Sequence, residues 1–447
     1  MTGPASGSDT IFALASGAGR AAVAVLRLSG PSAGPALAAL TCDRLPQARR
    51  ASVRDLVDPA SGDRLDRALC LWLPAPGSFT GEDVAELHLH GGRAVLDGVT
   101  GALLRLGCRI AEAGEFSRRA FDHGKLDLTE AEAIADLVDA ETVAQRRQAL
   151  GQLGGALANL TDSWRNRLLR ALAHLEADLD FPDEDLPGGI DSRVGAELAA
   201  LAGEMQTQLA DGQRGERLRA GLSVALLGAP NAGKSSLLNQ LAGRDVAIVS
   251  ARAGTTRDII EVHLDLGGVP VILADTAGLR DAGDEIESEG VRRALARAEA
   301  ADIRVLVFDA TKWPLLDPNT LHLVDDQALL VLNKCDLQPV DDVHIGRRPA
   351  LPVSAVSGAG VEALLQRLAR LAGDLLPAGA APVLTRARHR AAVVEALSAL
   401  RRSIEAPAPE LVAEEVRLAV RAIGRITGRV DVEDLLDLIF REFCIGK

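Results

Sequence analysis

The run Gly228-Ala-Pro-Asn-Ala-Gly233-Lys234-Ser235 has the spacing G-x-x-x-x-G-K-[ST]. Its glycines let backbone N–H groups close on phosphate oxygens. The lysine brings charge to β- and γ-phosphates, and the serine hydroxyl is a Mg²⁺ ligand. A strand-like apolar run precedes it and the helix-forming run 236–241 follows, so a helix dipole adds to the attraction. A chance glycine-rich turn would lack that setting. Asn231, Ala232, Gly233, Lys234, Ser235 and Ser236 are the phosphate-loop candidates, with Lys234 also a catalytic one.

Three shorter pieces concern the base and the switch. Asp275-Thr276-Ala277-Gly278 follows the apolar run 269–274; such an aspartate reaches Mg²⁺ through water, and the glycine backbone senses a γ-phosphate. Asn333-Lys334-Cys335-Asp336 follows the run 328–332. The Asp336 carboxylate can accept both N1–H and N2–H₂ of guanine, which adenine does not offer. Ser354-Ala355 suits a backbone contact to guanine O6. Each piece is weak alone; their order and spacing point to GTP. Leu279 stands where Ras-type sites carry a water-orienting Gln, and a leucine cannot orient water.

The elements that must position these groups follow from patterning. Runs 222–227, 269–274, 303–309 and 328–332 are apolar throughout, as in parallel strands buried on both faces; 260–266 alternates like an edge strand and turns at Gly267-Gly268. This is a doubly wound α/β domain over 216–376. Upstream, β-like runs at 22–28, 68–73 and 84–89 and a helix over 94–106 make an α+β domain, 1–122. Thr129 with Glu132 reads as a capping box opening a helical stretch, 123–215, whose later helices cover 164–179 and 192–215. Helical patterning returns over 377–447. The expected fold is α/β and α+β multidomain, with a P-loop GTPase domain inserted into one helical domain after an α+β N-terminal domain.

Composition bounds the rest. The 447 residues exceed one ordinary domain, and 47% hydrophobic with 25% charged residues is globular. A net charge of -13 excludes a general nucleic-acid glue, and 2% aromatics with no Tyr exclude a single-strand binder built on stacking platforms. Five scattered cysteines without CxxC speak for a reducing compartment. Residues 1–9 lack the basic and apolar regions of a secretory signal, and no run spans a bilayer, so a cytoplasmic, soluble protein is expected.

The order Gly254-Thr-Thr-Arg-Asp258, Asp275-Thr-Ala-Gly-Leu279, Asn333-Lys-Cys-Asp336 resembles the Era/Der/TrmE group of GTPases. Phe443-Cys-Ile-Gly-Lys447 looks like the C-terminal signature of the MnmE (TrmE) family of tRNA-modification GTPases. Phe79-Thr-Gly-Glu-Asp83, Gly114-Glu-Phe-Ser-Arg-Arg-Ala-Phe121 and Gly124-Lys-Leu-Asp-Leu128 look like its N-terminal half. The resemblance covers the whole chain. It implies K⁺-dependent GTP hydrolysis and, with the FAD-binding partner MnmG in a heterotetramer, addition of a carboxymethylaminomethyl-type (or aminomethyl) group at C5 of the wobble uridine, U34. The carbon comes from 5,10-methylene- or 5-formyl-tetrahydrofolate, and glycine or ammonium supplies the amine.

The resemblance also implies residue roles. Ser250, Ala251, Arg252, Ala253, Gly254, Thr255 and Thr256 join the GTP site. Thr256 and Ser235 hold Mg²⁺; Asn231, Ser250, Arg252 and Thr255 hold K⁺, across which two G domains of a homodimer meet. Glu287 positions the attacking water, and Arg27, Glu86, Lys125 and Lys447 contact the folate. From the residues alone, Glu287 is also an exposed acidic loop residue, Asn231 a turn residue tolerant of the left-handed region, and the folate residues surface ion pairs. Cys444 is either a functional thiol at the uridine or a buried small hydrophobe. His88 and His90 share a strand face without further metal ligands. Arg386, Arg388, Arg390, Arg401 and Arg402, with Arg165, Arg167 and Arg170, face tRNA phosphates or are solvated helix faces. Two other classes stay open: an Era- or Der-like ribosome-assembly switch, and a folate-dependent one-carbon transferase regulated by GTP.

Overall fold

The computed structural model describes residues 9–180, 190–248, 261–275, 301–340, 343–377, 379, 383–430, 433–441, 443, 444 and 446. Packing divides the chain into two compact units, Met1–Ala135 with Gln152–Ala199 and Glu395–Lys447, and Asp136–Gly151 with Ala200–Val394.

In the first unit β1 (Ile11–Leu14), β2 (Ala21–Ser29), β3 (Ser52–Val57), β4 (Arg64–Leu73), β5 (Val84–Gly91) and β6 (Arg109–Ile110) form one sheet, ordered β3-β4-β5-β2-β1-β6. Neighbours are antiparallel except the parallel pair β1 and β6. Alternation along β5 sends Ala85, Leu87 and Leu89 to one face and Glu86, His88 and His90 to the other. The apolar face packs with α1 (Ala33–Thr41) and α2 (Arg93–Arg105) around Leu28, Leu37, Leu87 and Leu103. On the other face Ile11 and Ala13 gather with Ala111, Phe116 and Phe79.

Helices α3 (Glu115–Asp122), α4 (Leu128–Asp139), α5 (Val143–Leu153), α6 (Ala156–Asp180) and α7 (Ile190–Ala220) follow. The capping box lies two residues before the expected Thr129/Glu132 pair. Asp127 Oδ1 accepts from Glu130 N at 2.8 Å and Glu130 Oε2 accepts from Asp127 N at 2.8 Å. An aspartate caps at least as well as a threonine, and Thr129 and Glu132 lie buried inside the helix.

The second unit carries β7 (Leu222–Leu227), α8 (Lys234–Ala242), β8 (Ala247–Ile248), β9 (Glu261–Leu266), β10 (Val269–Asp275), β11 (Ile303–Asp309), α9 (Pro318–Leu321), β12 (Leu329–Asn333), β13 (His344–Ile345), β14 (Arg348–Pro349), β15 (Leu351–Pro352) and α10 (Val361–Leu375). Seven of these strands form a sheet ordered β15-β12-β11-β7-β10-β9-β8; β15, β12, β11, β7 and β10 are parallel, and β9 and β8 complete it antiparallel. Leu222, Val224 and Leu226 face the core shared with α8 and α10, while Ala225, Leu227 and Phe308 face a second core, which is why these strands are apolar throughout. The expected edge strand, β9, is not the edge: Ala247 and Ile248 pair with Leu264 and His263 outside it.

The chain closes with α11 (Ala387–Glu405), α12 (Pro409–Thr427) and α13 (Glu433–Arg441). In the first unit α12 packs along α6, and the last helix buries Leu436, Ile439 and Phe440 against Leu128 and Ala131. In the second unit Gln145 donates to the carbonyl of Arg219, in the last turn of α7, at 3.1 Å, and Gln148 to that of Gly215, one turn earlier, at 3.2 Å. No helix among the described residues is long and apolar enough to cross a membrane.

Under the N-terminal sheet lies a buried ion network. Arg119, 5% exposed, meets Asp9 at 2.8 Å, Glu82 at 3.1 Å and Glu115 at 3.0 Å, and Arg109 pairs with Asp9 and Glu115. Burial would raise the Asp9 and Glu115 carboxyls, but the hydrogen bonds and charges of Arg109 and Arg119 outweigh it and hold both below their ordinary range. Replacing Arg119 by Met is expected to cost about 3–5 kcal/mol, since carboxylates are left without their buried partner; urea unfolding measures it. Carboxyls depressed in the folded state stabilise fully above their unfolded values, about pH 4 to 4.5, and that stability is lost as pH falls from there through the folded values. Acid unfolding of the variant should therefore begin from a lower plateau and lose less across that window.

Candidate nucleotide site

The phosphate loop leaves β7 at Gly228, whose φ is 155°; a Cβ there would stand 2.2 Å from the Val307 carbonyl oxygen. At Gly233, with φ 90°, a Cβ would stand 2.2 Å from Asn333 Nδ2. Both positions therefore demand glycine. Asn231 between them is exposed in the left-handed region, φ 63°. Lys234 opens α8 with its side chain largely buried, and its Nζ donates to the Gly228 and Ala229 carbonyls at 2.9 and 3.0 Å. Phosphate oxygens would replace those carbonyls as acceptors from Nζ. Ser235 and Ser236 are exposed on the first helical turn.

Asn333, 1% exposed, ends β12 and ties two loops together. Its Nδ2 donates to the Ala232 carbonyl at 2.9 Å, and its Oδ1 accepts from Ala355 N at 3.0 Å. Ser354 is fully buried; its Oγ accepts from Ser357 N at 3.0 Å. Phosphate loop, Asn333-Lys334-Cys335-Asp336 and Ser354-Ala355 are thus brought together. Asp336 is exposed, its carboxylate open to a base edge. Cys335, whose thiol burial pushes up, is no ready nucleophile.

One residue of this site, Asp309, escaped the sequence reading; its partner Lys334 is among the expected residues. Lys334 sits at φ 70°, and its Nζ reaches Asp309 Oδ2 at 2.7 Å. Asp309 Oδ1 is held by Thr311 N and Oγ1 at 3.0 and 2.7 Å. Burial would raise Asp309; its bonds to Lys334 and Thr311 outweigh this and hold it down. The Lys334 stem passes Gly233, with Cε 4.0 Å from where a Cβ would be. The signal was present: Asp309 is the polar residue closing an apolar strand at its carboxyl end, where ligands of open α/β sheets bind.

Other expected residues fall elsewhere or outside the description. Asp275 ends β10, its backbone opposite Leu226. Ser250 to Thr256, Thr276, Ala277, Gly278, Glu287 and Lys447 lie outside the described residues. In the first unit Arg27 and Glu86, expected at a folate, face each other across β2 and β5: Arg27 Nε and Nη2 approach Glu86 Oε1 at 3.0 and 2.9 Å. Phe79 and Phe116 flank the guanidinium at 5.4 and 5.9 Å. Lys125 is exposed. Cys444 is also exposed, so it is not a buried small hydrophobe; its carbonyl accepts from Gly114 N at 3.5 Å, and Phe443 packs on Phe440 at 5.4 Å.

His88 stands 3.6 Å from Glu86, and His90 bonds Asp66 at 2.7 Å; no metal-binding group occurs among the described residues. Four of the arginines expected at tRNA phosphates or on solvated helix faces hold carboxylates: Arg386 with Asp136, Arg390 with Glu216, Arg402 with Glu415 and Arg167 with Glu197.

A doubly wound sheet with this loop and this guanine-recognition triad at its strand ends defines a P-loop guanine-nucleotide-binding protein. The pattern described as the MnmE helical domain matches residues 128–444, and that of the GTP-binding protein TrmE N-terminus matches 10–125. The tRNA modification GTPase MnmE of Paramagnetospirillum magneticum is 61% identical over 98% of this chain and 100% of its own length; that of Rhodospirillum rubrum is 57% identical over 98% and 99%. The G domain of the T. maritima FeoB iron transporter is 27% identical over 34% of this chain and 98% of its own, with a TM-score of 0.26. The chain belongs to the MnmE (TrmE) family of tRNA modification GTPases.

Asp309→Asn should weaken the hold on Lys334 without touching the phosphates. A rise in KM for GTP of about fivefold to tenfold, with kcat little changed, is expected, on the order of one ordinary net hydrogen bond, since the amide oxygen introduced there still accepts from Lys334. Steady-state GTP turnover checks it.

Proposed function

We propose that this chain hydrolyses GTP in the course of modifying C5 of the wobble uridine, U34, of tRNA. It works with an FAD-binding partner of the MnmG kind and adds a carboxymethylaminomethyl-type or aminomethyl group. The observation that carries the reading is 61% identity, over nearly the whole of both chains, to a relative named for tRNA modification. The division into an N-terminal domain 1–122, a helical domain 123–215 and 377–447, and a GTPase domain 216–376 belongs to the same proposal, as do a homodimer, a tRNA substrate and a cytoplasmic setting.

In the GTPase domain, Lys234 neutralises the β- and γ-phosphates and Asp336 selects guanine; the Ala355 amide expected at guanine O6 donates to Asn333 Oδ1 in this structure. Mg²⁺ is held by Ser235 and Thr256, and Ser235 on an exposed first turn fits that part. K⁺ is held by Asn231, Ser250, Arg252 and Thr255; the exposed Asn231 amide is a neutral oxygen donor suited to a hard cation. Bound K⁺ supplies the positive charge that an arginine finger brings elsewhere. Glu287 orients the water that Leu279 cannot.

The folate, as 5,10-methylene- or 5-formyl-tetrahydrofolate, is held by Arg27, Glu86, Lys125 and Lys447. Both described Arg27 contacts fall on one Glu86 oxygen; the other, Oε2, lies 3.6 Å from His88 Nε2, beyond hydrogen-bond reach, and is the acceptor for pterin N–H donors, while Lys125 is open to carboxylates. The exposed Cys444 is the thiol available to the uridine.

GTP turnover in K⁺ and in Na⁺ at matched ionic strength tests the cation. K⁺ should raise the rate tenfold or more, on the order of one stabilising group at a developing charge, and Asn231→Ala should abolish that response. Equal rates in both salts would remove Asn231 from the mechanism. For the tRNA role, mass spectrometry of tRNA from a strain lacking the protein should show loss of C5-modified wobble uridine. Intact modification with immature ribosomal subunits would instead favour an assembly factor.

A further inference from the structure

At the other end of β10 from Asp275, about 20 Å away at strand rise, lies a cavity of about 740 Å³ in the second unit. That is within the size range of small-molecule sites. Its walls are apolar: Val143 and Ala144 on α5, Leu218 on α7, Leu266 and Val269 at the β9–β10 turn, Ala369 on α10. Its floor is bare backbone. A Cβ added at Gly267, Gly268 or Gly373 would meet nothing within 4 Å.

The polar groups at this cavity are two arginines and one aspartate. Asp265 Oδ1 is engaged by Gly268 N at 2.6 Å. Arg214 meets Asp211 at 2.9 Å and the Pro377 carbonyl at 3.2 Å, while its Nε is sealed from solvent with no acceptor. Arg147 lines the cavity, is exposed, and forms no ion pair among the described residues. A guanidinium left over beside apolar walls suits a ligand with an apolar body and one anionic group.

The place matters because of what the two strands join. β9 begins three residues after Asp258, and β10 ends on Asp275, so one hairpin connects both switch motifs. His263 Nδ1 lies 2.7 Å from Glu141 Oε2, which ties β9 to the segment leading into α5. A molecule wedged between the turn and helices α5, α7 and α10 restrains that hairpin.

We propose that this cavity is a regulatory site for a small amphiphilic anion, an apolar ring system bearing a carboxylate or sulfonate, whose binding changes the rate of GTP turnover. The rate arm rests on the hydrolysis proposed above; the binding arm does not. The probe is 1-anilinonaphthalene-8-sulfonate, titrated by fluorescence into the full chain with GDP saturating, so that the nucleotide site is closed to it. Saturable binding is expected, weakened at least tenfold by Gly373→Phe, which fills the cavity from a helix, and at least threefold by Arg147→Gln, which removes the charge. Unchanged GDP affinity in both variants shows that they fold. Equal titrations for the wild type and Gly373→Phe, or no saturable binding, overturn the site. Binding that leaves GTP turnover within experimental error of the probe-free rate overturns the regulation, and a chain that turns over no GTP at all fails the hydrolysis reading while the binding result stands.

Discussion

The nucleotide site hangs on one buried amide. Asn333 has a donor and an acceptor in use, and they join loops that are far apart in the chain, 101 residues to Ala232 and 22 to Ala355. An unpaired amide at 1% exposure would cost about 1–3 kcal/mol, so the two bonds hold each other's loops in register. The same contact explains the phosphate loop's composition: the Asn333 amide occupies the volume a side chain at Gly233 would need. The parallel sheet makes this possible. With β7, β11, β12 and β15 running the same way, their carboxyl ends lie side by side, and each loop starts from the same edge.

Charge in the first unit is arranged by the opposite logic, since it is neutralised rather than offered. Arg109 and Arg119 face Asp9, Glu82 and Glu115 beneath the sheet. The pattern Gly114-Glu-Phe-Ser-Arg-Arg-Ala-Phe121 thereby gains a structural meaning: Glu115 and Arg119 supply the network, Phe116 flanks Arg27, and Phe121 lies 6.5 Å from Phe440. Acidic side chains outnumber Lys and Arg, 62 to 49. On helices, runs of arginine find carboxylates on neighbouring helices, which a reading of charge along one segment does not see.

What was legible in the sequence was whatever has a local period or a local motif. Buried parallel strands show as unbroken apolar runs, and the strands at 222–227 and 303–309 have the expected extent. The phosphate loop is a contiguous motif with a strand before it and a helix after it. Less legible was everything decided by distant partners. The expected cap, Thr129, is drawn into the core, and Asp127, two residues earlier, caps the helix with Glu130 returning its hydrogen bond. The edge strand gained a neighbour only two residues long, too short for any period to reveal. Asp309 reads as the polar end of a strand until Lys334 is seen across it.

The helical segments before and after the GTPase domain meet it through polar contacts of a particular kind. Gln145 satisfies the Arg219 carbonyl at the end of α7 and Gln148 bonds the Gly215 carbonyl one turn earlier, just before Gly221 (φ 85°) turns the chain into β7. Asp136 receives both Arg219 and Arg386, residues on either side of the inserted domain. The exit of the chain into the domain and its return are therefore held by one carboxylate. Side-chain amides and guanidinium forks set direction more than they add stability, because each bond replaces one to water and is worth only about 1 kcal/mol net. A junction made this way fixes the orientation of β7 at its root. The loop at the far end of β7 is the phosphate loop, so these helices hold the root of the strand from which that loop starts.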